Sequence, residues 1–131
     1  MKRIGVGVIG WGFMGRTHTH SLRAIPLFYQ GLDFEPVLAG VCSRRLEKAK
    51  EAQEQLGFGF ATDDYHALLA REDIQVVSIC TPNAMHEQMA IDAMHAGKHV
   101  YLDKPVAVTA EAAERMLRVQ RETGVKCQVV L

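Results

Sequence analysis

At 131 residues the chain is long enough to bury a core beneath both faces of a sheet and too short for two full domains. Hydrophobic residues at 48% and charged residues at 23% exclude a disordered or fibrous polypeptide. Fifteen basic and fifteen acidic side chains cancel, so no net positive field exists to hold nucleic acid or an anionic membrane, and any phosphate must be bound locally.

No apolar run approaches the ~20 residues of a membrane span. The start, Met1 to Gly7, lacks a long apolar signal region, and a cytoplasmic protein is expected. Arg3 to Gly10 (RIGVGVIG) is apolar and β-branched and predicts a first strand; Phe13 to Ile25 predicts a helix that Pro26 stops. Pro36 to Cys42 is a second strand. Leu46, Ala49, Ala52 and Leu56 follow at helical spacing and end at Gly57, a C-terminal cap. Phe58 to Ala61 predicts a short third strand, after which Thr62 or Asp63 caps a helix carrying Tyr65, Leu68 and Leu69. Ile74 to Cys80 (IQVVSIC) is the clearest strand. A helix from Ala84 to Ala96 ends at Gly97, Lys98 to Leu102 is a fifth strand, Thr109 caps a helix through Glu122, and Val125 to Leu131 follows Gly124.

Six near-continuous apolar strands alternating with five helices call for an α/β fold, a parallel sheet covered on both faces. Right-handed crossovers favour a doubly wound sheet in the order 3-2-1-4-5-6 if the domain is of the dinucleotide-binding, Rossmann kind. Cys42, Cys80 and Cys127 are odd in number and embedded in apolar runs, which reads as reduced core thiols and not as a disulfide framework or a metal knuckle.

Gly10-Trp11-Gly12-Phe13-Met14-Gly15 is GxGxxG, placed where the first strand ends and the first helix opens. In that place Gly10 permits the tight turn, Gly12 lets the backbone approach a pyrophosphate, and Gly15 lets helix and strand pack closely. Backbone N–H groups and the helix dipole would hold the phosphates, which is how a chain without net charge can bind a polyanion. A phosphate-loop NTPase does not fit, because Arg16 stands where the required lysine should be. Asp33 lies near the usual distance for a ribose-binding acid but precedes the second strand. The positions at that strand's far end are Ser43, Arg44 and Arg45. Small polar plus basic residues there accept the 2′-phosphate of NADP, so NADP is favoured over NAD. A methyltransferase-like domain would want an acid at that point.

In this strand order Thr81-Pro82-Asn83, after the fourth strand, and Asp103-Lys104-Pro105, after the fifth, are neighbours at the carboxyl edge. A cofactor whose adenosine half lies over the first two strands would extend its nicotinamide toward them. Lys104 then becomes a cation beside a hydride-transfer centre. Of the six histidines, His18, His20, His66, His95 and His99 read as packing, capping or surface residues, with no metal-ligand spacing. His86 opens a helix beside Thr81-Pro82-Asn83 and is kept out of the catalytic set.

VGVIGWGFMGRTH, CTPNAMHEQMAIDAMHAGKHVYLDKPVAVT and the spacing between them resemble, from end to end, the N-terminal domain of the glucose-fructose oxidoreductase, inositol dehydrogenase and MocA family. The family's usual Glu-Lys-Pro is Asp-Lys-Pro here, one methylene shorter. The resemblance implies an NAD(P)-dependent oxidoreductase acting on a hydroxyl or carbonyl of a sugar, polyol or related small molecule. It implies that Lys104 is catalytic, helping to position substrate and cofactor, and that Thr81, Pro82 and Asn83 line the cofactor path. The expected cofactor-binding set is thus Gly10, Gly12, Phe13, Met14, Gly15, Ser43, Arg44, Arg45, Thr81, Pro82, Asn83, Asp103, Lys104 and Pro105, with no metal ligand. The family's C-terminal α/β domain supplies most substrate contacts and commonly a catalytic histidine. It is expected to be absent from residues 1–131, which would leave them able to bind cofactor but inactive alone, while the full-length protein is expected to be a homo-oligomer. The other reading is a nucleotide-binding regulatory module without chemistry of its own.

Overall fold

The computed structural model describes residues 1–130. Along the chain run β1 (Lys2–Ile9), α1 (Phe13–Phe28), β2 (Phe34–Cys42), α2 (Leu46–Leu56), β3 (Ala61–Thr62), α3 (Tyr65–Leu69), β4 (Val76–Ile79), a 3-10 turn (Asn83–Met85), α4 (His86–His95), β5 (His99–Leu102), α5 (Ala110–Thr123) and β6 (Cys127–Val129). The strands form one sheet in the order β3-β2-β1-β4-β5-β6, every pairing parallel. This is the doubly wound arrangement that the alternation of apolar strands and helices predicts.

Burial on both faces explains why these strands read as continuous apolar runs. Successive residues of β1 divide between two cores. Val8 joins Val41 with Ala49 and Ala52 of α2 and Phe58, while Ile9 joins Ile79, Leu102 and residues of α4 and α5 such as Ala90, Met94 and Met116. On β5 the division breaks down: Val100 and Leu102 are buried but His99 and Tyr101 are exposed, so its α1-facing side is open.

Several boundaries differ from expectation. Pro26 lies inside α1 instead of stopping it. It forfeits only the bond a residue there would donate to Leu22 O, and the helix closes beyond it with Tyr29 N–H donating to Ile25 O at 3.0 Å, on a stretch exposed from Pro26 onward. The third strand is Ala61–Thr62, not Phe58 to Ala61, because Phe58 turns into the smaller core edge-on to Trp11, with ring centroids 5.6 Å apart. Asp64, not Thr62 or Asp63, caps α3, its Oδ1 accepting His66 N–H at 2.9 Å. The fourth helix begins as a 3-10 turn closed by Met85 N–H on Pro82 O, so α4 proper starts at His86. The sixth strand is confined to Cys127–Val129, and Leu131 lies outside the described residues. Thr109 caps α5 as expected, Oγ1 accepting Ala112 N–H at 3.0 Å, and Gly57 and Gly124 close α2 and α5.

The three cysteines are free thiols. Burial, with Asp64 and Asp63 nearby, pushes Cys42 up to about 12, and burial pushes Cys80 up to about 11, so both remain protonated and inert. Among the described residues no helix is long and apolar enough to cross a membrane.

One polar contact ties α1 to β4 through the sheet face. His18 Nδ1 lies 2.6 Å from Ser78 Oγ and 3.2 Å from Cys80 Sγ, with its ring 5.2 Å from that of Tyr101. Burial holds this imidazole below its ordinary value of 6.5, against a weaker opposite pull from Asp103. The neutral ring shares a hydrogen bond with the Ser78 hydroxyl. Because the unfolded ring takes up a proton that the folded ring resists, this contribution is complete above about pH 6.5 and is lost as pH falls toward the folded value. We expect Tm to drop as pH is lowered from about 7.5 to about 5.5, and to drop less steeply in His18→Gln. Parallel curves for the two proteins would contradict the assignment.

Candidate functional site

The carboxyl ends of the strands are locked side by side by backbone bonds one residue beyond each strand. Gly10 N–H donates to Cys42 O at 2.9 Å, Ser43 N–H to Thr62 O at 3.1 Å, Cys80 N–H to Ile9 O at 2.8 Å, and Asp103 N–H to Ile79 O at 3.0 Å. Four segments far apart in sequence, 10–15, 43–45, 81–83 and 103–105, therefore share one edge of the sheet. It lies where the strand order reverses at β1, between β2 and β4.

The three glycines of the first turn serve three different needs. Gly10 has φ +98°, and a Cβ there would sit 2.7 Å from Cys80 O; at Gly15 a Cβ would sit 2.1 Å from Gly10 O. Both positions are closed to side chains by backbone. At Gly12 a Cβ would meet nothing within 4 Å. Gly12 is also the N-cap of α1, with no side-chain cap and no acid in the first turn. The first intrahelical bond into this turn is Arg16 N–H on Gly12 O, leaving the N–H groups of Phe13, Met14 and Gly15 without helical partners. Open space before uncapped donors at the positive end of a helix is a cradle for an anion. Phe13 is 81% exposed at its lip, and Met14 is half-buried.

At the end of β2 the two arginines part ways. Arg45 is the N-cap of α2, and its guanidinium holds Glu47, with Nε 2.8 Å from Oε1. Glu47, held below the usual carboxylate range by its own backbone N–H and then by Arg45, offsets the cation at the helix start. Of the two arginines expected to contact the cofactor, Arg45 is paired locally with Glu47, both side chains remaining exposed. Arg44 is exposed and forms no ion pair among the described residues, next to half-buried Ser43.

Beyond β4, Thr81 Oγ1 and Asn83 Oδ1 are buried without a hydrogen-bond partner, and Pro82 between them is exposed. Buried polar atoms left unpaired are costly, and water or a polar ligand at this edge would supply the partner these two lack. Beyond β5, the half-buried Asp103 accepts Lys104 N–H at Oδ1, 3.0 Å, while Lys104 and Pro105 are exposed and joined by a cis peptide bond. The Lys104 ammonium has no partner among the described residues. His86 closes this corner from beneath: 1% exposed, with Nε2 3.0 Å from Thr81 O and Nδ1 2.8 Å from Pro105 O. Its position at the opening of a helix beside Thr81-Pro82-Asn83 is visible in the sequence, but its second contact, across the β5 turn, is not.

The remaining histidines are not gathered into a site. His99 Nδ1 accepts Lys126 N–H at 3.0 Å, and among the described residues no three of His, Cys, Asp and Glu converge as metal ligands. A groove of about 870 Å³ runs along the open face of β4 to β6 beside α1 and includes Leu22, Ile25, Tyr29 and Tyr101. It is apart from the glycine turn. The chemistry-bearing residues instead line an open rim.

The donor set fits a dinucleotide: uncapped amides for a pyrophosphate, a free cation and a hydroxyl at the β2 tip, and orphaned polar atoms past β4. The profile of a family described as oxidoreductases with an NAD-binding Rossmann fold matches residues 4–131. Levoglucosan dehydrogenase of Pseudarthrobacter phenanthrenivorans is 39% identical over 116 residues, 88% of this chain and 30% of the relative. A crystal structure of levoglucosan dehydrogenase with NADH and L-sorbose superposes with a TM-score of 0.93 at 36% identity, over 98% of this chain and 35% of that one. A 3-ketoreductase from Actinomadura kijaniata, in complex with TDP-benzene and NADP, superposes with a TM-score of 0.84 at 34% identity, over 98% of this chain and 38% of that one. The chain spans about a third of the length of these relatives. By the extent of the match, nearly end to end, the chain belongs to the GFO/IDH/MocA family of oxidoreductases with an NAD-binding Rossmann fold.

Proposed function

We propose that these residues are the cofactor-binding part of an NAD(P)-dependent oxidoreductase that interconverts a hydroxyl and a carbonyl on a sugar, polyol or related small molecule. The observation that carries the reading is the open cradle at Gly12 with the uncapped start of α1, sharing one sheet edge with the unpaired Lys104. The sugar in the crystal structure of a relative supports the substrate class, and the threefold length of the relatives supports a further substrate-binding domain in the whole protein. Free thiols support a reducing, cytoplasmic setting.

The N–H groups of Phe13, Met14 and Gly15 hold the pyrophosphate, and Ser43 with Arg44 receives a 2′-phosphate, which favours NADP over NAD. Arg45 shapes the start of α2 through Glu47. Thr81 and Asn83 offer their unsatisfied oxygens to the nicotinamide end. When bound, the cofactor supplies a nicotinamide ring that accepts or returns a hydride. Lys104 donates a hydrogen bond to the reacting oxygen or its proton-transfer partner and stabilises negative charge that develops there. The Asp103 carboxylate steadies the lysine turn through the Lys104 amide.

Titration calorimetry of the chain with NADP and NAD tests the cofactor assignment. NADP binds more tightly, and Arg44→Ala weakens NADP by about tenfold or more while leaving NAD unchanged, the size of one charge-assisted hydrogen bond. Equal weakening of both, or none, removes Arg44 from the site.

Gly12→Val abolishes binding of either cofactor with thermal unfolding unchanged, since the side chain occupies space that protein atoms leave empty. Normal binding by the folded variant refutes the cradle.

In the whole protein, Lys104→Ala lowers kcat by roughly a hundredfold or more. A kcat near wild type, measured over a panel of sugars and polyols, contradicts the role given to Lys104.

A further inference from the structure

One buried polar side chain at this edge takes no part in holding the cofactor. His86 meets a backbone carbonyl with each ring nitrogen, Nε2 at 3.0 Å from Thr81 O and Nδ1 at 2.8 Å from Pro105 O. The sheet ladder joins the chain after β4 to the chain after β5 only as far as Asp103 N–H on Ile79 O. Past that bond one segment coils into the 3-10 turn and the other bends through Lys104-Pro105. Among the described residues, the only hydrogen-bonded link between residues 81–85 and 104–108 runs through this imidazole.

The chemistry of the side chain suits that task. Both carbonyls only accept, so a neutral imidazole hydrogen-bonds one of them and the cation both; the bond that crosses to the β5 turn is the one Nδ1–H donates to Pro105 O. Asparagine or glutamine carries both of its N–H donors on one terminal nitrogen, so it does not present nitrogens at two separated edges as the ring does. The segments also keep their functional side chains out of their own shaping. Thr81 Oγ1 and Asn83 Oδ1 are unpartnered, and the Lys104 ammonium is unpaired. The backbone is held from beneath so that the side chains above are free to meet a ligand.

We propose that His86 is a positioning residue that fixes the Thr81–Asn83 segment and the Lys104 turn as one unit, setting the distance between the groups that hold the nicotinamide end and the ammonium that faces the reacting oxygen. This deepens the oxidoreductase reading and rests on it.

His86→Gln tests the coupling by hydrogen exchange and by binding. In the variant, amide exchange speeds up by about tenfold or more in both segments, Asn83 to Met85 and Lys104 to Val108, while the amides of β1 keep their protection. NADPH binding weakens by about tenfold, the scale of one lost hydrogen-bonded contact. Binding of 2′-phospho-ADP-ribose, which has the same phosphates but no nicotinamide, is unchanged. Faster exchange in one segment alone, unchanged exchange, or equal weakening of the two ligands overturns the proposal. Should the variant fail to fold, the wild-type chain supplies the test by nitrogen NMR of the ring. A His86 Nδ1–H protected from water exchange supports the strap, and a ring protonated on Nε2 alone, or an Nδ1–H exchanging freely, overturns it. Failure of the wild-type chain to bind 2′-phospho-ADP-ribose counts against the cofactor assignment instead, and is distinguishable from a failure of the strap.

Discussion

The working edge depends on how closely β1 and β4 are allowed to end. Cys80 N–H donates to Ile9 O at 2.8 Å, and the chain leaving β1 must then turn away within one residue, directly against the Cys80 carbonyl. Only a residue without a Cβ, at a left-handed φ, fits at position 10. That turn delivers Gly12 to open space and starts α1 beneath it. The close approach of Gly15 to Gly10 O then sets the helix against the strand it has just left. A side chain at Gly10 or Gly15 would move the helix start from the sheet edge, and the amides that make an anion site would no longer face it.

The same edge shows how a chain with no net charge gathers local charge. Five of its fifteen cations are held in ion pairs among the described residues, Arg45 with Glu47, Arg71 with Asp73 and Arg115 with Glu87 among them. Such exposed pairs contribute little to stability. Their relevance here is what they leave over. At the tips of β2 and β5 the unpaired cations are Arg44 and Lys104, on either side of the glycine turn in the strand order. In the proposed oxidoreductase these two separate, isolated cations meet phosphate at one end of a dinucleotide and developing charge at the other.

The fold was legible because its strands are apolar on both faces and separated by helices, a pattern with few alternatives, and because Gly57, Gly124 and Thr109 mark helix ends by strong local chemistry. Where local chemistry was balanced, tertiary packing decided. Pro26 reads as a stop, but an exposed last turn tolerates it; Phe58 reads as strand, but its ring is worth more in the core beside Trp11. The glycine turn and the Thr81 and Lys104 segments were also legible, since the strand order alone places them together. Two features were not. Nothing in Ser43-Arg44-Arg45 says which arginine Glu47 will capture, and nothing local to His86 shows a carbonyl nineteen residues away in sequence. Both depend on side-chain reach across a turn, which periodicity and motif spacing do not encode.

The central claim is that a pyridine dinucleotide lies along this edge, from the β2 tip across the glycine turn to the β4 and β5 loops. Titrating a nitrogen-15-labelled sample of the chain with NADPH and following its backbone amides tests that most directly. The largest shifts are expected on Phe13, Met14, Gly15, Arg44, Thr81, Asn83 and Lys104, with the amides of α5 and the far ends of the strands unmoved. Shifts concentrated instead along the groove beside Leu22, Ile25 and Tyr101, or no shifts at saturating ligand, would contradict it.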